Sequence, residues 1–198
     1  MWNERYSKPG YLFGTEPAQF LRDHAAYLEP GARALVVADG EGRNSVYMAG
    51  LGLDVVAMDA SHIAVEKARA LALANNVDVD FNVAEVFKWD WEKEPFDLVV
   101  GVFIQFVGPT DRDRLFEGMK QALKPGGTLL LHGYTPEQVK LGTGGPPNAE
   151  NMYTEALLQD AFNDFEILAL HSYRRYVDEG EGHSGESALI DLVARKPV

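Results

Sequence analysis

Cysteine is absent from the 198 residues. That excludes disulfides, thiolate catalysis and zinc–thiolate sites together. No apolar run approaches the roughly 20 residues that a bilayer span requires. The opening Met1-Trp2-Asn3-Glu4-Arg5-Tyr6 lacks the basic-then-apolar pattern of a secretory leader, so a cytoplasmic protein is the expectation. Positive charge is scarce: 18 Lys and Arg face 30 Asp and Glu, a net charge of −12. Such an excess repels phosphate backbones and anionic lipid, which argues against nucleic acid and membrane as partners. With 46% hydrophobic residues, the chain is too apolar for disorder and long enough for one domain with its own core.

Short apolar runs alternate with helical patterns along the chain, without an internal repeat. Thr15-Glu16-Pro17 reads as a helix start, with Phe20, Leu21, His24, Ala25 and Leu28 at helical spacing and Pro30-Gly31 as the stop. Ala34 to Ala38 is a continuous apolar run, as a strand buried on both faces requires. A helix from about Ser45 to Gly50 follows. Asp54 to Met58 reads as a second strand, then Ser61 caps a helix bearing Ala64, Val65, Ala68, Leu71 and Ala72. Val77 to Val83 and Phe96 to Phe103 read as the third and fourth strands. Thr110 to Asp113 resembles a capping box before Leu115, Phe116, Met119 and Leu123. Lys124 to Gly127 then turns into a fifth strand, Thr128 to His132. Thr154 opens a helix through Phe162. Phe165 to Tyr176 and Glu186 to Arg195, joined by a short polar link, complete the set as an antiparallel pair. The expected fold is α/β: one Rossmann-like domain with a seven-stranded, mostly parallel sheet, helices on both faces and a C-terminal antiparallel hairpin.

Chemistry points to the first strand's end. Asp39-Gly40-Glu41-Gly42-Arg43-Asn44 joins that strand to its helix. Glycines there let a ligand approach the backbone, and the helix start presents free N–H groups. Ligands of open α/β sheets sit beyond the strands' carboxyl ends. Asp59 ends the second strand, where a carboxylate can accept both hydroxyls of a ribose. Together these features predict a site for a nucleoside-containing ligand, with room for it between the tops of the first two strands.

The order of Gly40-Glu41-Gly42-Arg43-Asn44, Asp59-Ala60-Ser61, Phe96-Asp97-Leu98-Val99-Val100 and Leu123-Lys124-Pro125-Gly126-Gly127 resembles a class I S-adenosylmethionine-dependent methyltransferase. The flanks, Trp2 to Tyr6 with Phe13-Gly14 and the run Glu179 to Gly185, are similar to the small tellurite-resistance and thiopurine type. The resemblance implies one domain over 1–198: a cover segment and helix at 1–30, a cofactor-binding core at 34–133, and a helix with the hairpin at 134–198. It implies that Asp39, Gly40, Gly42 and Asn44 lie at the methionine end of S-adenosyl-L-methionine and that Asp59 holds the ribose. Ala60 and Ser61 would flank one adenine edge, and Glu85, Val86 and Phe87 the other. Phe103 and Phe106 would pack on the cofactor and face the reaction centre, with Tyr11 and Phe13 as an aromatic lid that shields and attracts the sulfonium.

The pattern departs from that family at Val36, where an acidic residue is usual, at Ala38, and at Glu85, where Asp is usual. Val36 leaves the cofactor ammonium one carboxylate short and shifts that task to Asp39 or Glu41. The reaction implied is in-line methyl transfer to a small-molecule nucleophile: a thiol, chalcogen oxyanion, halide or heterocycle. It depends mainly on alignment and needs no metal, and a base only for a protonated acceptor. His132 and His183 are the candidate bases or acceptor anchors, and Tyr6, Arg43, Gln105 and Tyr134 the other acceptor-side candidates. His171 reads as structural, and the histidine spacings match no metal motif. The expected state is monomer or homodimer. Alternatives are an NAD-dependent oxidoreductase, against which stands Ser45 at the third glycine position, and a cofactor-binding regulator without catalysis.

Overall fold

A computed structural model describes residues 1–198. In chain order the elements are α1 (Trp2–Tyr6), α2 (Gln19–Asp23), β1 (Arg33–Val37), α3 (Arg43–Gly50), β2 (Asp54–Asp59), α4 (His62–Ala74), β3 (Asp80–Val83), β4 (Phe96–Val102), α5 (Pro109–Ala122), β5 (Leu123–Tyr134), α6 (Gln138–Leu141), α7 (Glu155–Ala161), β6 (Glu166–Asp178) and β7 (Ser184–Arg195). The strands form one sheet in the order β3-β2-β1-β4-β5-β7-β6. The first five run parallel, and β7 pairs antiparallel with both β5 and β6. No helix is long and apolar enough to cross a membrane.

Alternation along the strands divides the core into two layers. Leu35, Val37, Val56, Met58, Val99, Leu129 and Leu131 meet Leu115, Phe116 and Met119 of α5 and Leu158 of α7. Ala34, Val36, Val55, Ala57, Leu98, Val100 and Leu130 meet Phe20 and Leu21 of α2 and Met48 of α3. Both faces are covered, which is why these strands read as unbroken apolar runs. Val36 is wholly in the second layer, so its departure from the acidic pattern serves packing.

Several boundaries differ from the sequence reading, each for an identifiable reason. The first long helix is shortened to α2 and a 3₁₀ turn at Ala25–Tyr27, because Ala18 is extended and gives its N–H to Asn44 Oδ1 at 2.9 Å. β3 begins at Asp80 because Asn76 takes a left-handed φ of 54°. The N–H groups of Asn76 and Val77 return to Leu73 and Ala72, and Val77 packs on that end of α4, a Schellman closure. α3 starts at Arg43, two residues before Ser45, with Gly42 at its N-cap. The capping box at Thr110 is absent: α5 starts at Pro109 behind Gly108, with no side-chain cap. Proline suits that position because its missing N–H would be unpaired there. β5 extends from Leu123 to Tyr134, and Lys124–Gly127 becomes a bulge across which the register jumps from Phe96↔Leu123 to Leu98↔Thr128. Thr154 does cap α7, accepting the Leu157 N–H at 3.1 Å.

Candidate active site

At the carboxyl end of β1 the chain turns sharply. Ala38, Gly40 and Gly42 have φ of 49°, 63° and 90°. Gly42 is sterically obligatory: a Cβ there would lie 2.7 Å from that of Ala68 in α4. Asp59 holds the turn from the neighbouring strand. Its Oδ2 accepts the Gly40 N–H at 2.9 Å and its Oδ1 the Ser61 N–H at 2.8 Å. A carboxylate has about four lone-pair sites, so Asp59 keeps capacity for two more donors, the number that a ribose diol presents. Ser61 caps α4 through Ala64 N–H, and Ala60 beside it is exposed.

Asp39 points under the turn, accepting the Ser45 hydroxyl at 2.5 Å and the Ser45 N–H at 3.3 Å. Burial pushes its carboxyl up to about 7 and raises that of Asp59 as well. Neither forms an ion pair within the chain, although Arg43 offsets part of the Asp39 shift. Glu41 is employed differently. It pairs with Lys67 at 2.9 Å and accepts the Leu12 N–H at 2.7 Å. Lys67 also binds the carbonyls of Lys8 and Gly10, so Glu41 and Lys67 pin the N-terminal segment rather than stand free for a ligand.

That segment closes the crevice. The Tyr6 hydroxyl lies where a Cβ on Gly40 would come within 3.0 Å of it, and Asn3 accepts the Ser61 hydroxyl at 2.6 Å. Burial, then Asp59 and Glu41, raise the Tyr6 hydroxyl above its ordinary range. The room expected beside Gly40 and Asp59 is therefore filled by the chain's own cover. Beneath the cover, Asp59 retains the acceptor capacity that a ribose diol would use.

The loop between β6 and β7 locks the cover down. Glu179 pairs with Arg43 at 2.9 Å, both nearly buried, and accepts the Gln19 N–H. Gly182 gives its N–H to Leu12, and a Cβ on Gly182 would strike the Phe13 ring at 2.2 Å. His183 is sandwiched between Phe13 and Phe103, at centroid distances of 4.4 and 4.2 Å. Its Nδ1 is hydrogen-bonded to the Tyr134 hydroxyl. Burial, with Arg43 nearby, holds the His183 ring well below its ordinary titration range. Phe103 carries a φ of 55° directly after β4, the kind of strained position that clusters at functional sites.

The structure thus gathers Tyr6, Phe13, Asp39, Gly40, Gly42, Arg43, Asp59, Ser61, Phe103, Tyr134 and His183 around one rim. Other candidates fall elsewhere. Tyr11 packs against Val46, Leu71 and Ala72, its hydroxyl on the Lys67 carbonyl. Asn44 is engaged with Ala18. Both ends of the Gln105 amide are taken by the Tyr134 backbone, at 2.8 and 2.7 Å. Glu85, Phe87 and Phe106 are exposed, with Glu85 paired to Lys88 and Phe87 under Arg114, while Val86 is buried in the core.

A second polar cluster was not foreseen. His132, at the end of β5, places Nδ1 2.7 Å from Asp191 of β7. His24 Nε2 and the Tyr173 hydroxyl meet the same carboxylate, each at 2.9 Å. Asp191 is a single charge inside the apolar run Ala188 to Ala194, and that isolation was its one signal.

Residues 34–127 match the family model described as a methyltransferase domain. A ubiquinone biosynthesis O-methyltransferase from Chelativorans sp. (strain BNC1) is 32% identical over 123 residues, covering 61% of this chain and 48% of its own. A probable thiol methyltransferase 2 of Arabidopsis thaliana is 31% identical over 144 residues, covering 70% of this chain and 62% of its own. The chain therefore spans less than two thirds of either relative. A solved SAM-dependent methyltransferase from Methanosarcina mazei superposes with a TM-score of 0.74 at 19% identity, over 89% of this chain and 97% of that one.

Proposed function

We propose that this chain, which carries a class I S-adenosylmethionine-dependent methyltransferase domain, moves the methyl group of S-adenosyl-L-methionine to a small-molecule nucleophile. One observation supports this reading most. Two buried carboxylates without cation partners, Asp39 and Asp59, lie under a glycine turn at the carboxyl rim of a parallel sheet. The cofactor supplies a methyl group activated on a cationic sulfur, and its ammonium is a second positive charge.

In this reading Asp59 takes the ribose hydroxyls with its free lone pairs. The Gly40–Gly42 backbone lies against the methionine end, and Asp39 faces its cationic groups. Ala60, Ser61 and Val86 border the adenine. Phe13 and Phe103, with His183 clamped between them, exclude water from the sulfonium. With Tyr6 and Asn3 withdrawn to admit the guest and the cover returned, the chain contributes alignment and dryness. Alignment alone lowers the barrier of such a displacement by roughly 7–11 kcal/mol. The roof over the rim consists of short segments of this chain, which suits a small acceptor: a thiol, chalcogen oxyanion, halide or heterocycle.

Thermal denaturation with S-adenosylmethionine, its demethylated product and NAD tests the reading. A ligand at 100 times its Kd stabilises by about 2.7 kcal/mol, and the first two are expected to raise Tm by roughly 5–11 °C for a chain of this size. Asp59→Ala, with Asp59→Asn as the milder companion, is expected to weaken cofactor binding by about 1.5–3 kcal/mol, roughly 10–150-fold. Stabilisation by NAD alone, or unchanged affinity in both variants, overturns it.

A further inference from the structure

The cluster beyond the cofactor turn has a chemistry of its own. Asp191 is 2% exposed and accepts three donors: His132, His24 and Tyr173. His171, half exposed, lies 3.7 Å away. No Arg or Lys forms an ion pair with Asp191; Arg175, paired to Asp23, acts on it only at longer range, so the groups in direct contact with its charge are histidines and Tyr173. Because Asp191 accepts at Nδ1, the His132 proton sits on Nδ1 and the lone pair on Nε2. Nε2 has no hydrogen-bond partner in the chain. The ring is held flat against Phe20 at 4.7 Å and edge-on to Phe103 at 4.9 Å. Phe103 also stacks on His183, which places His132 one aromatic ring away from the cover and the glycine turn.

Resting on the methyl-transfer reading, we infer that His132 is the general base of this site, that Asp191, His24 and Tyr173 position it, and that the acceptor is protic: an uncharged O–H, S–H or N–H compound rather than a halide or oxyanion. Nε2 takes the acceptor's proton as the acceptor heteroatom bonds the methyl carbon and the carbon–sulfur pair returns to sulfur. The positive charge passes from sulfur to the His132 ring, where Asp191 already faces it, and the proton then leaves to solvent. His183 does not compete for this role. Its Nδ1 is engaged by Tyr134 and its ring is buried between two phenylalanines. The net charge of −12 acts in the same direction, since it repels anionic acceptors at long range.

Two measurements on the full chain decide this. Imidazole-¹⁵N spectra of the protein without cofactor are expected to show His132 as the Nδ1–H tautomer, lost in Asp191→Asn. Transfer of labelled methyl is then followed to catechol and 2-mercaptoethanol, which carry the proton, and to iodide and thiocyanate, which do not. Label is expected on a protic probe. His132→Gln is expected to cut kcat on it by about 10²–10⁴-fold with cofactor Kd unchanged, and Asp191→Asn to cut kcat less, with KM unmoved. An Nε2–H tautomer, label on the anions only or on no probe, or equal kcat in His132→Gln overturns the base. Absence of any cofactor-induced thermal shift overturns the parent reading instead.

Discussion

In the proposed binding mode, ligand and proton compete for Asp39. Its carboxyl is pushed up to about 7 by burial, against an ordinary value near 3.9. Between these values the folded chain keeps a proton that the unfolded chain has released. Stability is therefore lost as pH rises through that window, and it is greater on the acid side. A cation placed beside the carboxyl favours its charged form. S-adenosylmethionine binding is expected to expel a proton below about pH 7 and to weaken as pH falls towards 5. Calorimetry in two buffers of different ionisation enthalpy measures the proton; a buffer-independent heat, or the same dependence in Asp39→Asn, contradicts the assignment. Gly42, Asp59 and Ser61 were legible in sequence because strand, turn and helix follow one another locally. Asp191 was not, since its partners His24 and His132 lie 167 and 59 positions away and only the sheet register brings them together. Glu41 misled for the opposite reason: its place in the turn is that of a ligand group, yet Lys67 from the next helix claims it.

At the scale of elements, the parallel strands were readable because burial on both faces leaves an unbroken apolar run. The termini of elements were less so, since a distant side chain or a backbone closure decides them: Asn44 keeps Ala18 extended, and the closure of α4 consumes Val77. The cover is likewise held from several places: Glu41 and Lys67 pin it from the turn and α4, and the loop between β6 and β7 latches it. Glu179→Gln leaves the Arg43 charge nearly buried and unpaired. Loss of one partner of a buried pair costs about 3–5 kcal/mol, here spent locally on the latch. Hydrogen exchange is expected to accelerate at the Leu12 and Gly182 amides, while the strands β1, β4 and β5 keep their protection. Unaltered exchange at those two amides means that the ion pair is not what holds the cover.

For the whole molecule, the sheet order places the glycine turn, the strained Phe103 and the His132 cluster on one rim, at the ends of β1, β4 and β5. The family resemblance already implied a cover at 1–30; what the sequence could not disclose is the set of contacts that hold it as a roof, with α1 on Ser61, Leu12 on Glu41 and the β6–β7 loop on Arg43. That roof has a kinetic cost. On the proposed function, product made beneath it waits for Tyr6 and Asn3 to lift before it departs, and lids of this kind move on microsecond-to-millisecond scales. A rapid-quench experiment is therefore expected to show a burst: the first equivalent of product appears faster than those that follow, and loosening the roof shortens the wait without hastening the bond-making itself.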